Sequence, residues 1–318
     1  MLFFDEKFFE GEWRSDFYVQ SEMKRVWAAQ IEILMEIDRI CRKHGIRYFA
    51  DSGTLLGVIR HKGFIPWDDD IDIAMKRADY MRFRAIVEDE LIPDCIVWDV
   101  DNESWSQGFM RISNYGRELN EYGLPSINDR MKRFHGCPYV VGIDIFPLDN
   151  LPEDEAERSV MYEMLRTIQL CYQFWGEDAE RQERAENLLM RLEKQFGMSF
   201  DKSKNIKPQL LQLFDRISSL YTEDECSELA ITWFWTINDQ WALEKSWYDK
   251  SIPGIFENII LPMPAEYDAV LRTYYGEYMT PVRDSAYHDY PFYKGQKEML
   301  EKEYNIFYAG NKYIKIEK

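Results

Sequence analysis

Long apolar runs are missing from this chain. Although 46% of its 318 residues are hydrophobic, no stretch approaches the roughly eighteen consecutive apolar residues that a membrane-spanning helix needs. The start, Met1-Leu-Phe-Phe-Asp-Glu-Lys7, has no basic segment leading into an apolar one, so no secretory signal is expected. Cysteine is sparse: Cys41, Cys95, Cys137, Cys171 and Cys226 are odd in number, scattered and never in a CxxC pair. That spacing argues against a disulfide framework and a zinc knuckle, and predicts reduced thiols in a cytoplasmic protein. Positive charge is also short, with 39 basic residues against 57 acidic ones and a net charge of −18. Such a field repels a phosphate backbone, so nucleic acid is not an expected partner. A polyanionic small ligand would instead need a local basic patch or bound cations.

What is present reads as an α+β protein, a mixed β-sheet flanked by helices with a further helical region packed against it. From Ser21 to His44 the apolar residues Trp27, Ile31, Leu34, Ile37 and Cys41 recur at spacings of three and four. Ser21 is a candidate N-cap and Gly45 a candidate stop, which predicts an amphipathic helix. Ile46–Ala50 is a short β-type run, Ile71–Ala74 alternates like a strand, and Ala78–Leu91 is helical in pattern. Cys95–Val100, Phe109–Ile112 and Tyr139–Phe146 read as further strands. After Pro147 and Pro152 the patterning becomes almost wholly helical, from Glu153 to about Tyr248, and 253–281 adds a strand, a helix and a Tyr-Gly turn. Residues 1–150 are therefore expected to form an α/β core, 151–250 a helical region packed on it, and 251–318 a segment packing back on the core.

The most informative stretch runs from Asp51 to Ile73. If residues 68–73 are extended, Asp68, Asp70 and Asp72 line one face while Ile71 and Ile73 point into the core. At roughly 4 Å each pair of like charges costs on the order of 4 kcal/mol at an intermediate dielectric. Divalent cations make such crowding tolerable, and oxygen-only ligands select Mg²⁺ or Mn²⁺. The plainer reading, a solvated acidic run, sits poorly with the interleaved isoleucines and the preceding Pro66-Trp67. Asp144 lies inside the apolar run Val140-Val-Gly-Ile-Asp-Ile-Phe146, where an isolated carboxylate would be expensive. It either completes the metal cluster, takes the proton of an attacking hydroxyl, or is satisfied by a helix N-terminus or an arginine. Gly53-Thr54, after a strand and opening a helix, can bring backbone N–H groups and a hydroxyl to phosphate. Glycine–hydroxyl, spacer, Asp-x-Asp and a third Asp on another strand form the nucleotidyltransferase pattern, which two metals would serve by bridging donor phosphates. Here the spacer is longer than usual and Ser52 stands where an apolar residue is customary. Arg60, His61 and Lys62 offer the local positive patch, with a solvated loop as the competing reading and a hydrogen-bonding strut as another role for His61.

The run Gly53-Thr-Leu-Leu-Gly-Val-Ile-Arg-His-Lys-Gly-Phe-Ile-Pro-Trp-Asp-Asp-Asp-Ile-Asp-Ile73 resembles the signature of the LicD family, whose domain also occurs in fukutin-related glycan enzymes. The resemblance continues in Gly142–Asp149 and in Phe256-Glu257, Leu261–Pro264, Tyr267, Leu271 and Tyr275–Pro281, so it touches most of residues 25–285. It implies phosphocholine transfer from CDP-choline, or from a CDP-alditol, to a hydroxyl of a surface glycan or its lipid-linked precursor, with release of CMP. By the same resemblance Asp70 and Asp72 hold the metals with help from Asp68 and Asp144, and Asp144 is the candidate general base. Gly53, Thr54, Arg60 and Lys62 steady the donor, and Asp51 is a further residue facing the site. The reaction would run in the cytoplasm or at the inner membrane face, although no strongly basic amphipathic helix points to the membrane. Trp233, Ile237 and Trp241 share a face if that segment is helical, which makes them either core or a cage for a quaternary ammonium.

Two other classes share these residues. A nucleotidyltransferase would move NMP to a small-molecule hydroxyl with the same metals, attacking a different phosphorus. A catalytically silent scaffold would bind the nucleotide and do nothing more, but it would gain nothing from carboxylates that demand a metal.

Overall fold

The computed structural model describes residues 2–114, 127, 130–283, 290–309 and 312–315. Its centre is a mixed sheet in which β3 (Phe49–Ala50), β4 (Asp72–Lys76), β7 (Gly142–Leu151), β6 (Met110–Asn114) and β5 (Cys95–Trp98) lie side by side in that order. The central β4–β7 pair is parallel and its neighbours are antiparallel. The tail of β7 also pairs with β8 (Glu228–Ala230), which in turn pairs with β9 (Leu243–Glu244). The expected mixed sheet flanked by helices, with an added helical region, is what the chain forms.

Helix α1 (Ser21–His44) has the bounds its periodicity predicts. Gly45 ends it in the left-handed conformation (φ 61°), and its N–H returns to the carbonyls of Arg42 and Cys41, as a helix C-terminus with glycine does. Ser21, expected at the cap, is instead the first helical residue; Gln20 holds the cap position without a side-chain bond. Trp27, Ile33, Leu34 and Ile37 are fully buried, where α1 packs against β6 and β7. Each such side chain contributes about 1.5–3 kcal/mol through burial.

Several boundaries differ from expectation. The helix expected over Ala78–Leu91 is two pieces, α3 (Arg77–Arg84) and α4 (Val87–Glu90). The strand expected at Ile46–Ala50 is only two residues long, and β7 begins at Gly142 and runs on to Leu151. Helical structure after Glu153 comprises α5 (Glu155–Phe174), α6 (Ala179–Gln195) and α7 (Ile206–Ser218), and then gives way to short strands and single turns. These three helices enclose a second core of Leu165, Ile168, Leu189, Leu210, Phe214 and Ile217, to which Leu151 at the end of β7 contributes. A buried ion-pair network ties the two cores together. Arg77 of α3 bonds Asp149 at 2.6 Å and Asp215 of α7 at 2.7 Å, Arg84 reaches Asp215 at 3.0 Å, and Thr232 donates to Asp149 at 2.6 Å.

The C-terminal third supplies a hairpin, β10 (Ser251–Phe256) and β11 (Ile259–Pro264), followed by α9 (Tyr267–Tyr275) after the single turn α8 (Thr232–Trp235). Both β10 and α9 pack on α2 (Ser52–Arg60). The acidic segment thus lies between the sheet edge, α1 and this C-terminal layer. No helix among the described residues is long and apolar enough to cross a membrane.

Candidate active site

Three side chains form a row across three adjacent strands. Asp72 on β4 is registered with Asp144 on β7, and Asp144 with Arg111 on β6. Registered partners point to the same face of a sheet, with neighbouring strands about 4.8 Å apart. The opposite face is apolar: Ile71, Ile73, Ile143, Ile145 and Ile112 are all fully buried. The isoleucines interleaved with aspartates therefore do point inward, as expected.

Asp68 and Asp70 reach the row differently from the sequence expectation. Residues 68–71 are not strand; β4 begins at Asp72, and Asp68 closes a turn with its N–H on the Ile65 carbonyl at 2.9 Å. Two side chains of α1 pin this loop by its backbone: Trp27 Nε1 donates to the Asp68 carbonyl at 3.3 Å and Gln30 Nε2 to that of Asp69 at 2.8 Å. One oxygen each from Asp68, Asp69 and Asp70 lie within 4.8 Å of one another. Asp69 is buried and accepts the Phe292 N–H at 2.7 Å, so part of its carboxylate serves the C-terminal segment. The surrounding protein, and then the Asp70 charge, push the Asp68 carboxyl well above the usual carboxylate range. The Asp72 carboxyl is raised too, by the protein around it and then by Asp70, Asp144, Asp68 and Asp51. Burial is the larger cause of both shifts, and the charges that add to it put Asp68 and Asp70 within electrostatic reach of Asp72. Among the described residues three acids bring their oxygens within 4.8 Å of one another, at Asp68, Asp69 and Asp70.

Helix α2 presents its N-terminus to the same place. Asp51, with no exposed surface, caps it: the carboxylate accepts the Ser52 N–H at 2.8 Å and the Ser52 hydroxyl at 3.1 Å, and the Tyr248 hydroxyl lies 3.4 Å away. Burial raises its pKa to about 6. Gly53 is needed by contact, because a Cβ there would stand 2.6 Å from Asp68 Oδ2. The buried Thr54 hydroxyl accepts the Asp72 N–H at 2.8 Å. It therefore fixes the first residue of β4 directly, while its own hydrogen stays available as a donor.

The expected basic patch is divided. Arg60 feels the Asp68 charge and donates Nη1 to the Tyr278 carbonyl at 2.8 Å. His61 packs edge-on to Trp67 at 6.0 Å, and burial followed by the Arg60 and Arg14 charges lowers its pKa to about 4, so it is neutral at pH 7. Lys62 is exposed in a left-handed turn (φ 57°), its carbonyl accepting the Glu257 N–H at 2.8 Å.

Sequence reasoning missed two residues here. Arg111 holds Asp144 by a two-pronged bond, Nε to Oδ1 at 2.5 Å and Nη2 to Oδ2 at 2.6 Å. Of the alternatives open for Asp144, an arginine partner is thus the one observed, in the same space as the other acids. The only available signal was an arginine within the apolar run 109–112. Tyr275, 43% exposed at the end of α9, is the second. Its phenol is pushed up by its protein surroundings and then by the charges of Asp51, Asp72, Asp68 and Asp70, so it lies within electrostatic reach of the acidic group.

The aromatic stripe does not survive. Helix α8 stops at Trp235, so Trp233, Ile237 and Trp241 share no helical face. Trp233 packs against Gly108, Phe214 and Tyr172 between the two cores, Ile237 is exposed, and Trp241 lies edge-on to Tyr274 at 5.9 Å.

The site is thus a mixed sheet carrying Asp72 and Asp144 side by side, with a glycine–threonine helix start beside them. Residues 45–118 match the LicD/FKTN/FKRP nucleotidyltransferase domain, which bears out the LicD resemblance over that segment. The chain is 53% identical over 53 residues to the lipopolysaccharide cholinephosphotransferase LicD of Haemophilus influenzae, covering 17% of this chain and 20% of that protein. Uncharacterised proteins of Rickettsia typhi and Rickettsia prowazekii are 32% identical over 84 residues and 38% over 56. The chain spans between 20% and 27% of the length of these curated relatives.

Proposed function

We propose that this protein is a divalent-cation-dependent transferase that moves phosphocholine, or a related phospho-alditol, from a CDP-activated donor to a hydroxyl of a cell-surface glycan or its lipid-linked precursor. The observation that carries this reading is the acidic group itself: Asp72 is registered with Asp144, and Asp70, Asp144 and Asp68 add to the burial that raises its carboxyl. The similarity to a cholinephosphotransferase supports the head group and the kind of acceptor. An oxygen-only set of crowded carboxylates fits Mg²⁺ or Mn²⁺. Asp68, Asp70, Asp72 and Asp144 would hold it, and when bound it would neutralise the donor phosphates and the charge that builds on them.

The chain's own residues account for the remaining requirements. The acceptor oxygen attacks the distal phosphorus, the bond from that phosphorus to the bridging oxygen breaks, and CMP leaves with the electron pair. Asp144 takes the hydroxyl proton. Thr54 keeps Asp72 in register, Asp51 keeps the start of α2 in place, and Gly53 leaves room for Asp68. Arg60, with His61 and Lys62 on the same turn, stands at the donor side. Residues 1–150 form the catalytic core in this reading, 151–250 the acceptor or head-group side, and 251–318 the closing segment. We place the reaction in the cytoplasm or at the inner membrane face, a setting that suits five buried cysteines that are all free.

The test is product analysis with CDP-choline, CDP-glycerol and CDP-ribitol, a sugar acceptor, and Mn²⁺ or chelator. Release of CMP with phosphocholine on the acceptor is expected. CMP retained on the acceptor would mean nucleotidyl transfer, and no turnover with any donor would leave a binding scaffold.

A further inference from the structure

Arg111 has two features that a simple strut does not need. Its guanidinium takes both oxygens of Asp144, yet its side chain is 40% exposed and its charge also acts on Asp70 and Asp72. A groove has been left for its stem: a Cβ on Gly142 would stand 2.8 Å from Arg111 Cδ and 2.9 Å from its Cγ. Gly142 and Asp144 are two residues apart on β7, so they share a face, and the arginine lies across the first to reach the second. Glycine at 142 is therefore what permits this pairing.

We infer that Arg111 is an exchangeable counter-ion, paired with Asp144 when no cation is bound and released to the donor's phosphates when a cation takes that carboxylate. This rests on the proposed cation-dependent reading. A guanidinium and a divalent ion compete for the same two oxygens, and two positive charges about 5 Å apart repel. The released guanidinium has a planar fork suited to phosphate. Its open side gives it room to turn, and Trp105, with its ring centre 5.7 Å away, flanks it.

Exchange makes two predictions of opposite sign. Titration calorimetry of the full chain with Mn²⁺ alone should show Arg111→Gln binding the ion about tenfold or more tighter than wild type, because the competitor is gone. Titration with CDP at saturating Mn²⁺ should show the same variant binding about tenfold or more weaker. An arginine that merely orients Asp144 as a ligand would give the reverse first result, with Mn²⁺ binding about 10–100-fold weaker in the variant. That outcome, or unchanged Mn²⁺ affinity, overturns the inference. So does unchanged or tighter CDP binding, which would leave only a counter-ion.

Gly142→Ala separates exchange from charge alone, since it keeps the arginine but crowds its stem. It should also tighten Mn²⁺ binding; no change there, beside a tightened Arg111→Gln, overturns exchange. Arg111→Lys, which keeps the charge and loses the fork, gives the same comparison if circular dichroism shows that the alanine variant has not folded. If wild type binds no Mn²⁺, the proposed function fails as well. If wild type binds Mn²⁺, Asp72→Asn does not, and Arg111→Gln is no tighter, only the exchange fails.

Discussion

Replacing Asp72 with asparagine should make the cation-free protein more stable while abolishing its response to metal. Asp72 stands registered with Asp144, and its carboxyl is pushed up by its surroundings and by four neighbouring carboxylates. A like-charge pair at about 5 Å costs roughly 3 kcal/mol at an effective dielectric near 20. Arg111 offsets part of this through Asp144, and partial protonation of the raised carboxyls relieves more. A net gain of about 1–2 kcal/mol is therefore expected on neutralising Asp72, which corresponds to a melting temperature higher by about 1.5–3 °C for a chain of this size. Thermal melts in chelator measure this directly. In Mn²⁺ at about a hundred times its Kd, wild type should gain about 2.7 kcal/mol, and Asp72→Asn should gain almost none. Asp70→Asn should behave likewise. If Asp72→Asn melts below wild type in chelator, or keeps the full Mn²⁺ shift, the acids are satisfied by the protein alone and the cation site is refuted.

Other perturbations test the scaffold. Thr54→Val leaves the Asp72 N–H without its 2.8 Å partner inside the protein, so urea unfolding should show a loss of about 1–3 kcal/mol that Thr54→Ser restores. Arg77→Met uncovers Asp149, which has no exposed surface, and Asp215; a loss of about 3–5 kcal/mol is expected, with the helical region loosening first in hydrogen exchange. Burial pushes the Glu32 carboxyl up, but His135, Arg133 and the Leu2 N–H outweigh it and hold the pKa at about 2, below its ordinary 4.5. Its stabilisation, at most roughly 3 kcal/mol, is complete above pH 4.5 and is lost as pH falls toward 2. Glu32→Gln should therefore flatten stability over that acid range; an unchanged acid limb would show that the ion pairs contribute nothing.

The sequence shows best what is local. Helix α1 was legible to within one residue at its start and to the residue at its end, because its apolar period and terminal glycine agree with one another. The inward isoleucines around Asp72 and Asp144 were legible for the same reason, since strand alternation is a local rule. Asp68 and Asp70 were placed in the right neighbourhood by the wrong geometry: they sit on a loop whose backbone is held by Trp27 and Gln30, forty residues away, and no period records that. The segment after Ser218 looked helical because its aromatic residues fall at helical spacings, yet pairing of β8 with β7 and β9 overrides that preference. Arg111 was hidden because its meaning depends on the pairing of β6 with β7. Once Asp144 was recognised as a lone acid in an apolar strand, a cationic partner on a neighbouring strand could have been sought.

The proposed function, taken with the charge of this site, predicts an order of binding. On the proposed function Asp68, Asp70, Asp72 and Asp144 would face the donor's pyrophosphate, while of the nearby cations Arg111 is engaged by Asp144 and Arg60 donates to the Tyr278 carbonyl. Each uncompensated carboxylate about 5 Å from a phosphate costs on the order of 3 kcal/mol, or about a hundredfold in affinity. Two such contacts would raise a micromolar Kd to about 10 mM, and the overall charge of −18 acts in the same direction. On that reading the cation is expected to arrive before the nucleotide or with it. Calorimetry should detect no CDP binding in chelator at millimolar concentration, and binding should emerge as Mn²⁺ is added. Raising the salt concentration should rescue the chelated protein only weakly, because partly buried charges are poorly screened. Equal CDP affinity with and without Mn²⁺ would show that the nucleotide does not meet these acids at all, and the donor site would have to lie elsewhere on the chain.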